Sequence, residues 1–243
     1  MTIDFSVFVE YGPRLLMGFW LTIKIVIAAI ILGMPWGLVL ALGRRSRFFI
    51  PRLAATSFVE IFRNTPFIIQ VFLFYYVLPF YGIQFPAEYV GTLALAAFGS
   101  AYFSEIIRGG IDAVSKGQLE SARAIGMSDW QAMKNIVLPQ TLSIILPPLT
   151  NQTLTLIKES AILATITVHE LTMSGMRVQG EIFRPFEVFI MVALLYWGLN
   201  ETIAILMRKL EKWSKKGRIS NQDSAETCLL YTSDAADEGL GVD

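Results

Sequence analysis

Cysteine is almost missing from this chain. Cys228 is the only one in 243 residues, so neither an intrachain disulfide nor a cysteine-built metal centre is available. Histidine is as scarce: His169 stands alone beside Glu170. A single histidine in a polar loop reads as a solvated residue rather than a ligand or a base. No Gly-x-x-x-x-Gly-Lys-Ser/Thr run occurs, which removes a phosphate-binding loop. No nucleophile–base pair stands out at helical spacing, so no catalytic residue and no metal ligand is assigned. Charge is also thin, at 16% of residues against 54% hydrophobic, where a soluble domain carries about a quarter charged residues.

The shortage of charge is concentrated. Residues 25–43, 64–87 and 135–157 contain no Asp, Glu, Lys or Arg, and about 20 mostly apolar residues suffice for a helix to cross a bilayer. The first run leads into Arg44-Arg45. A cleaved signal carries its basic residues ahead of the apolar stretch, so this run reads as a retained span. Five spans are predicted, near 15–42, 58–80, 89–108, 141–164 and 186–207. The formal charge of zero conceals an asymmetry: to Arg218 there are 20 Lys and Arg against 14 Asp and Glu, and beyond it only acidic residues.

Loop charges orient the spans. Arg44, Arg45, Arg47 and Arg52 fill the first connection, Lys116, Arg123 and Lys134 the third, and six basic residues follow the last span. Basic loops stay in the cytoplasm. The N-terminus and loops two and four are therefore expected outside, with loops one and three and the C-terminus inside.

The third loop, 109–139, predicts helix, turn, helix over 116–125 and 129–138. Ser115 with Gln118 and Ser128 with Gln131 are capping-box patterns, and Gly126 stands where a left-handed helix stop is needed. Leu119, Ala122 and Ile125 share one side, and Glu120 can reach Arg123 at i, i+3. Such a helix could lie on lipid headgroups. Its small residues instead allow another backbone to come close.

Polar groups also fall at membrane depth, where they are costly and face protein or a watery path. Asn64, Thr65 and Gln70 accompany span two, Tyr102 span three, and Asn151, Lys158, Glu159 and Ser160 span four; these are the candidate path residues. Arg63 and Glu105 read as span ends that snorkel. Lys158-Glu159 is either a structural ion pair or part of a path. Pro66, Pro147 and Pro148 are expected to bend or interrupt helices. Gly33, Gly37, Gly99, Gly109 and Gly110 would permit close packing, the first two at small-xxx-small spacing.

These pieces, in order, resemble the membrane permease subunits of binding-protein-dependent ABC importers, above all those for polar amino acids. The resemblance covers about 11–211. It is carried by Gly18-Phe19-Trp20-Leu21-Thr22, Ile61-Phe62-Arg63-Asn64-Thr65-Pro66 with Gln70, and the run from Ala101 through Glu105 to Gly110. Glu120-Ser121-Ala122 with Gly126, Leu138-Pro139-Gln140, Leu156-Ile157-Lys158-Glu159-Ser160 and Glu170-Leu171 complete it. Glu120-Ser121-Ala122 looks like that family's EAA loop, with Ser121 in a position usually held by Ala. Glu159 stands where Asp is usual, which leaves the substrate open.

The resemblance implies an all-α integral membrane protein of the type I importer permease kind. It implies a second permease subunit, the same or homologous, and an extracytoplasmic amino-acid-binding protein. A cytoplasmic ABC ATPase dimer would grip Gln118, Leu119, Glu120, Ser121, Ala122, Ile125, Gly126 and Met127. ATP and Mg would belong to that ATPase, with no cofactor in this chain and no nucleic acid among its partners. The implied setting is the bacterial inner membrane, multi-pass. The permease domain is 1–218, and 219–243 reads as a disordered or artefactual tail, or else a regulatory extension. Two other readings compete: a self-sufficient channel or carrier, and an intramembrane enzyme using Glu105 or Glu159.

Overall fold

A computed structural model describes the backbone of residues 6–237 and the side chains of residues 6–214. The tail reading for 219–243 lies outside the described side chains. Every element among the described residues is helical: α1 (Ser6–Arg44), α2 (Phe49–Asn64), α3 (Phe67–Phe72), α4 (Ala87–Asp112), α5 (Lys116–Ala124), α6 (Asp129–Ala132), α7 (Leu138–Glu159), α8 (Leu171–Ile182) and α9 (Pro185–Asp237). A π turn (Leu73–Val77) and a 3-10 turn (Leu78–Tyr81) extend α3. Another π turn (Met133–Val137) joins α6 to α7, and a 3-10 segment (Ser160–Ile166) prolongs α7.

Among the described residues, three helical stretches are long and apolar enough to cross a membrane: α1, α4 and the Pro185–Ser214 part of α9. The second expected span is not one straight helix. Phe49–Asn64 and Phe67–Tyr81 meet at 113°. The cause is local. Thr65 precedes Pro66 and is extended at φ −115°, ψ 141°, because a proline ring disfavours helical geometry in the residue before it. The carbonyls freed at the end of α2 are taken up by Gln70. Its Nε2 donates to Phe62 O at 2.8 Å, Thr65 O at 3.1 Å and Thr65 Oγ1 at 2.9 Å.

The fourth expected span is α7 with its 3-10 extension. Its hydropathy is lowered by threonines, Asn151 and Gln152, and it runs unbroken through Pro147 and Pro148. The expected interruption there does not occur. Packing against α4 and α9 holds the helix, since neighbouring helices compensate prolines in a bundle.

The core sits where α1, α3, α4 and α7 converge, around Ala29, Val71, Leu95, Phe103, Leu156 and Leu163. Aromatics bind α3 to α4: Phe67 and Phe98 lie 4.9 Å apart, and Phe98 and Tyr102 4.8 Å. A second cluster joins the outer part of α1 to α8 and α9 through Leu15, Leu171, Val178 and Val188. Helices α1 and α4 touch backbone to backbone. A Cβ on Gly33 would lie 2.8 Å from Ala96 O, and one on Gly37 2.7 Å from Phe103 Cβ. Gly99 and Gly110 similarly receive Leu156 and Ile145, whereas a Cβ on Gly109 would meet no neighbouring element within 4 Å.

Candidate functional site

The loop between α4 and α7 forms a braced corner. Gly126 adopts φ +84°. Its N–H donates to Arg123 O at 3.0 Å, and Met127 N–H to Ala122 O at 3.0 Å, the paired closure of a Schellman stop. Ser128 then opens α6 with a complete capping box, its N–H donating to Gln131 Oε1 (2.8 Å) and its Oγ accepting from Gln131 N–H (3.3 Å). The Ile125 N–H donates to Ser121 O. Every backbone N–H from Ile125 to Ser128 is therefore bonded.

Three expectations are corrected. Ser115 precedes α5 but makes no side-chain cap; only its carbonyl receives Gln118 N–H. Arg123 pairs with Asp129 at 2.9 Å rather than with Glu120, because the turn at Gly126 folds α6 back towards it. The side shared by Leu119, Ala122 and Ile125 splits. Ala122 is buried against the corner, while Ile125 is 77% exposed and stands with Trp130, 73% exposed, on the outer surface. Gln118, Glu120 and Ser121 are exposed, and Met127 is half-buried.

The polar candidates fall into two groups. Asn64 and Thr65 are exposed and turned to their own helix, with Asn64 Nδ2 on Glu60 O and Thr65 Oγ1 on Ile61 O, each at 2.8 Å. Gln70 is buried and committed to the bend. Tyr102 lies under the Arg63 guanidinium, 5.7 Å from ring centre to Cζ. On α7, Asn151 and Lys158 are exposed with Thr155 half-buried between them, at i, i+4, i+7 on one face. Ser160 is buried and donates to Ile157 O. Lys158 and Glu159 lie within ion-pair distance of neither each other nor another described residue.

Two carboxylates had more to do than their local sequence suggested. Glu105 is not a snorkelling span end. It receives Arg44, Arg63 (3.3 Å) and Arg108 (2.8 Å) with its side chain only 18% exposed. Arg45 and Arg108 also share Asp112. Helices α1, α2 and α4 are tied at one level. A carboxylate held by three guanidiniums is no free acid or base, which counts against an enzymatic use of Glu105.

Glu170, in the expected fourth loop, is fully buried and caps α8. It accepts from Met173 N–H (2.8 Å), Thr172 N–H (2.9 Å) and Tyr196 Oη (2.8 Å), with Thr22 Oγ1 at 3.4 Å. Burial pushes its carboxyl above the usual glutamate value, and these bonds pull it part of the way back. The signal was present: an acidic residue ahead of a twelve-residue amphipathic stretch is a helix start.

Residues 33–216 match the family model described as "Binding-protein-dependent transport system inner membrane component". The chain is 35% identical over 204 residues to the probable amino-acid ABC transporter permease protein YckA of Bacillus subtilis, covering 84% of this chain and 90% of that one. It is 37% identical over 199 residues to the probable glutamine ABC transporter permease GlnM of the same organism, covering 82% and 92%. Among solved structures, an amino acid ABC transporter crystallised with histidines superposes with TM-score 0.82 at 38% identity, over 87% of this chain and 99% of that one. A methionine ABC transporter at 20% identity and TM-score 0.67 shares the fold. The all-helical architecture and the matched length agree, and the chain belongs to the family of binding-protein-dependent transport system inner membrane components.

Proposed function

We propose that this chain forms the membrane path of an ATP-driven amino-acid importer and takes its power stroke from a separate ATPase through the α5–α6 corner. One observation carries the reading: α7 joins that exposed corner at one end to an uncovered polar face, Asn151, Thr155 and Lys158, at the other. Polar groups on a spanning helix face protein or a watery path, not lipid. A second permease subunit across this face, identical or homologous, supplies the missing wall. Asn64, Thr65, Tyr102, Glu159 and Ser160 lie near the same route or shape it, and Gln70 holds the elbow beside it.

In this reading α1, the α2–α3 elbow, α4, α7 and α9 make five crossings. The N-terminus is outside, and the α5–α6 corner and the C-terminus are in the cytoplasm of a bacterial inner membrane. The ATPase dimer grips residues 118–127 and supplies ATP and Mg, and this chain hydrolyses nothing. An extracytoplasmic binding protein delivers a polar amino acid, a class supported by the relatives' names. The acidic tail beyond Arg218 plays no part.

The test is Gly126→Asp and Glu120→Lys in the assembled transporter. Both variants are expected to reach the membrane at normal levels, to lose the ATPase in pull-downs, and to lower ATP-dependent uptake at least about tenfold, the effect of removing roughly 1.4 kcal/mol of coupling. Normal uptake with the ATPase still bound refutes the coupling role. Uptake into liposomes by the chain alone, without ATP, would establish the carrier reading instead.

A further inference from the structure

The two arms of the elbow take different directions. Helix α3 stands against α4, with Phe67 4.9 Å from Phe98 and Val71 in the core beside them. Helix α2, turned 113° from that arm, crosses the end of α1. A Cβ on Gly43 would lie 3.1 Å from Ala55 Cβ and 3.6 Å from Pro51 O. Leu40 packs with Ala55 and Val59, and Arg44 reaches Glu60 at 3.9 Å. Residues 51–60 of α2 thus meet residues 40–44 of α1, little more than one turn. Two spans side by side would instead advance along each other by about 1.5 Å per residue. Helix α2 lies across the foot of the bundle, at the level where Arg44, Arg63 and Arg108 converge on Glu105.

The exposed side of α2 changes character along its length. At the start, Phe48, Phe49, Ile50 and Leu53 are each more than half exposed. Further on, Ser57, Glu60 and Asn64 are exposed, with Ile61. Arg47 and Arg52 flank the apolar start. Residues 44–59 hold four arginines and no acid. Arg44 and Arg45 are taken by Glu105 and Asp112. Arg47 and Arg52 pair with no carboxylate among the described residues, and Arg47 lies over the Phe48 ring at 4.9 Å. The nearest acid along the chain, Glu60, is already beside Arg44 and accepts from Asn64.

We propose that α2 is an in-plane membrane anchor. It lies in the cytoplasmic headgroup layer, with Phe48, Phe49, Ile50 and Leu53 at the acyl boundary and Arg47 and Arg52 on the phosphates of anionic lipids. A helix that sets basic residues beside large apolar ones binds such a surface through both. Arginines next to the cytoplasmic face of a membrane are drawn to anionic headgroups, and this pair has no carboxylate of the chain to compete for it. Residues 58–64 of the expected second span then stay at the surface, and the chain enters the bilayer at Phe67. The inference rests on the cytoplasmic placement of the first connection, which belongs to the proposed importer topology.

The assembled transporter is placed in phosphatidylcholine nanodiscs, with Cys228→Ser and one nitroxide label at Ile50→Cys or Ile61→Cys. These exposed sites lie about three turns apart on one side of α2. Both labels should sit at matching depth, about 5–10 Å below the phosphates, when read by power saturation. A spanning α2 would separate them by about 16 Å, which overturns the proposal. A fluorophore at Ile50→Cys should be quenched more by spin-labelled phosphatidylglycerol than by spin-labelled phosphatidylcholine. Arg47→Gln with Arg52→Gln should lower that preference at least about fivefold and leave the helical content unchanged. Equal quenching by both lipids with the arginines present overturns their role. A label at Ile50 that is immobile and shielded from both lipids would show a protein cover, which also sinks the proposal. Thiol labelling of Arg47→Cys from each side of the membrane tests the orientation separately. Modification from outside condemns the topology, whereas correct sidedness with unequal depths condemns the in-plane helix alone.

Discussion

At Glu170 one carboxylate joins three helices that are distant in sequence: Thr22 of α1, the first turn of α8, and Tyr196 of α9. Replacement by alanine strands those neutral donors, and a buried donor left without its acceptor costs about 1–3 kcal/mol. Glu170→Ala is therefore expected to lower the thermal midpoint of the purified chain well below that of Glu170→Gln, which keeps an acceptor. A pH dependence follows. Burial holds the folded carboxyl above its unfolded value, so its stabilising contribution is fully present below the ordinary glutamate range and is lost as pH rises through the raised value. The midpoint difference between wild type and Glu170→Gln should grow as pH falls from neutral. A constant difference across that range would show that the carboxyl is not raised. The helix cap was readable locally, but the links to α1 and α9 were not, because Glu170 gains those partners from residues 148 positions earlier and 26 later. Gly126 was readable, because a left-handed stop depends on its own short segment and a glycine is the residue that adopts it.

Among the elements, the glycines of α1 show how spacing alone succeeds and falls short. Gly33 and Gly37 share a face, and that face meets the backbone of α4. Gly109, singled out on the same grounds, opens onto empty space, since spacing says that a close approach is possible and not that a neighbour is there. Gly37→Ala should destabilise by about 1–3 kcal/mol through overpacking against Phe103 and Ser100. Gly109→Ala should be neutral or stabilising, as alanine favours a helix over glycine. Thermal melts of the two variants in one detergent check this, and equal loss in both would refute the α1–α4 contact. The elbow between α2 and α3 was half legible. Pro66 announced a break, but its angle is set by Gln70, whose carboxamide reaches back to Phe62. Helix α8 was missed because its twelve residues are too few and too polar to register as an apolar run.

For the whole molecule, Glu105 makes one block of α1, α2 and α4. With Arg44 only 12% exposed, its loss leaves three guanidiniums facing one another. Glu105→Gln is expected to cost about 2–3 kcal/mol, less than a fully buried pair because Arg63 and Arg108 are still partly in water. Adding Arg44→Gln should recover part of that loss. A double-mutant cycle of unfolding midpoints measures the coupling, and strict additivity would show that the pair contributes nothing. Lipid imposes length and hydropathy on each span, yet among the described residues three helices, or four with the bent pair, qualify where the apolar runs predict five spans. The runs could not give the cross-links, which depend on how the spans are arranged side by side.

The bonded corner from Ile125 to Ser128 bears on this arrangement. With no free N–H in its four-residue connection, it behaves as a joint without backlash. A nudge at Ile125 or Trp130 would not be absorbed in a slack tether. In the proposed role it would tilt the helical run from Asp129 to Ile166, which leads from the corner towards the Glu170 clasp, so that a push on the loop is handed on rather than absorbed in it.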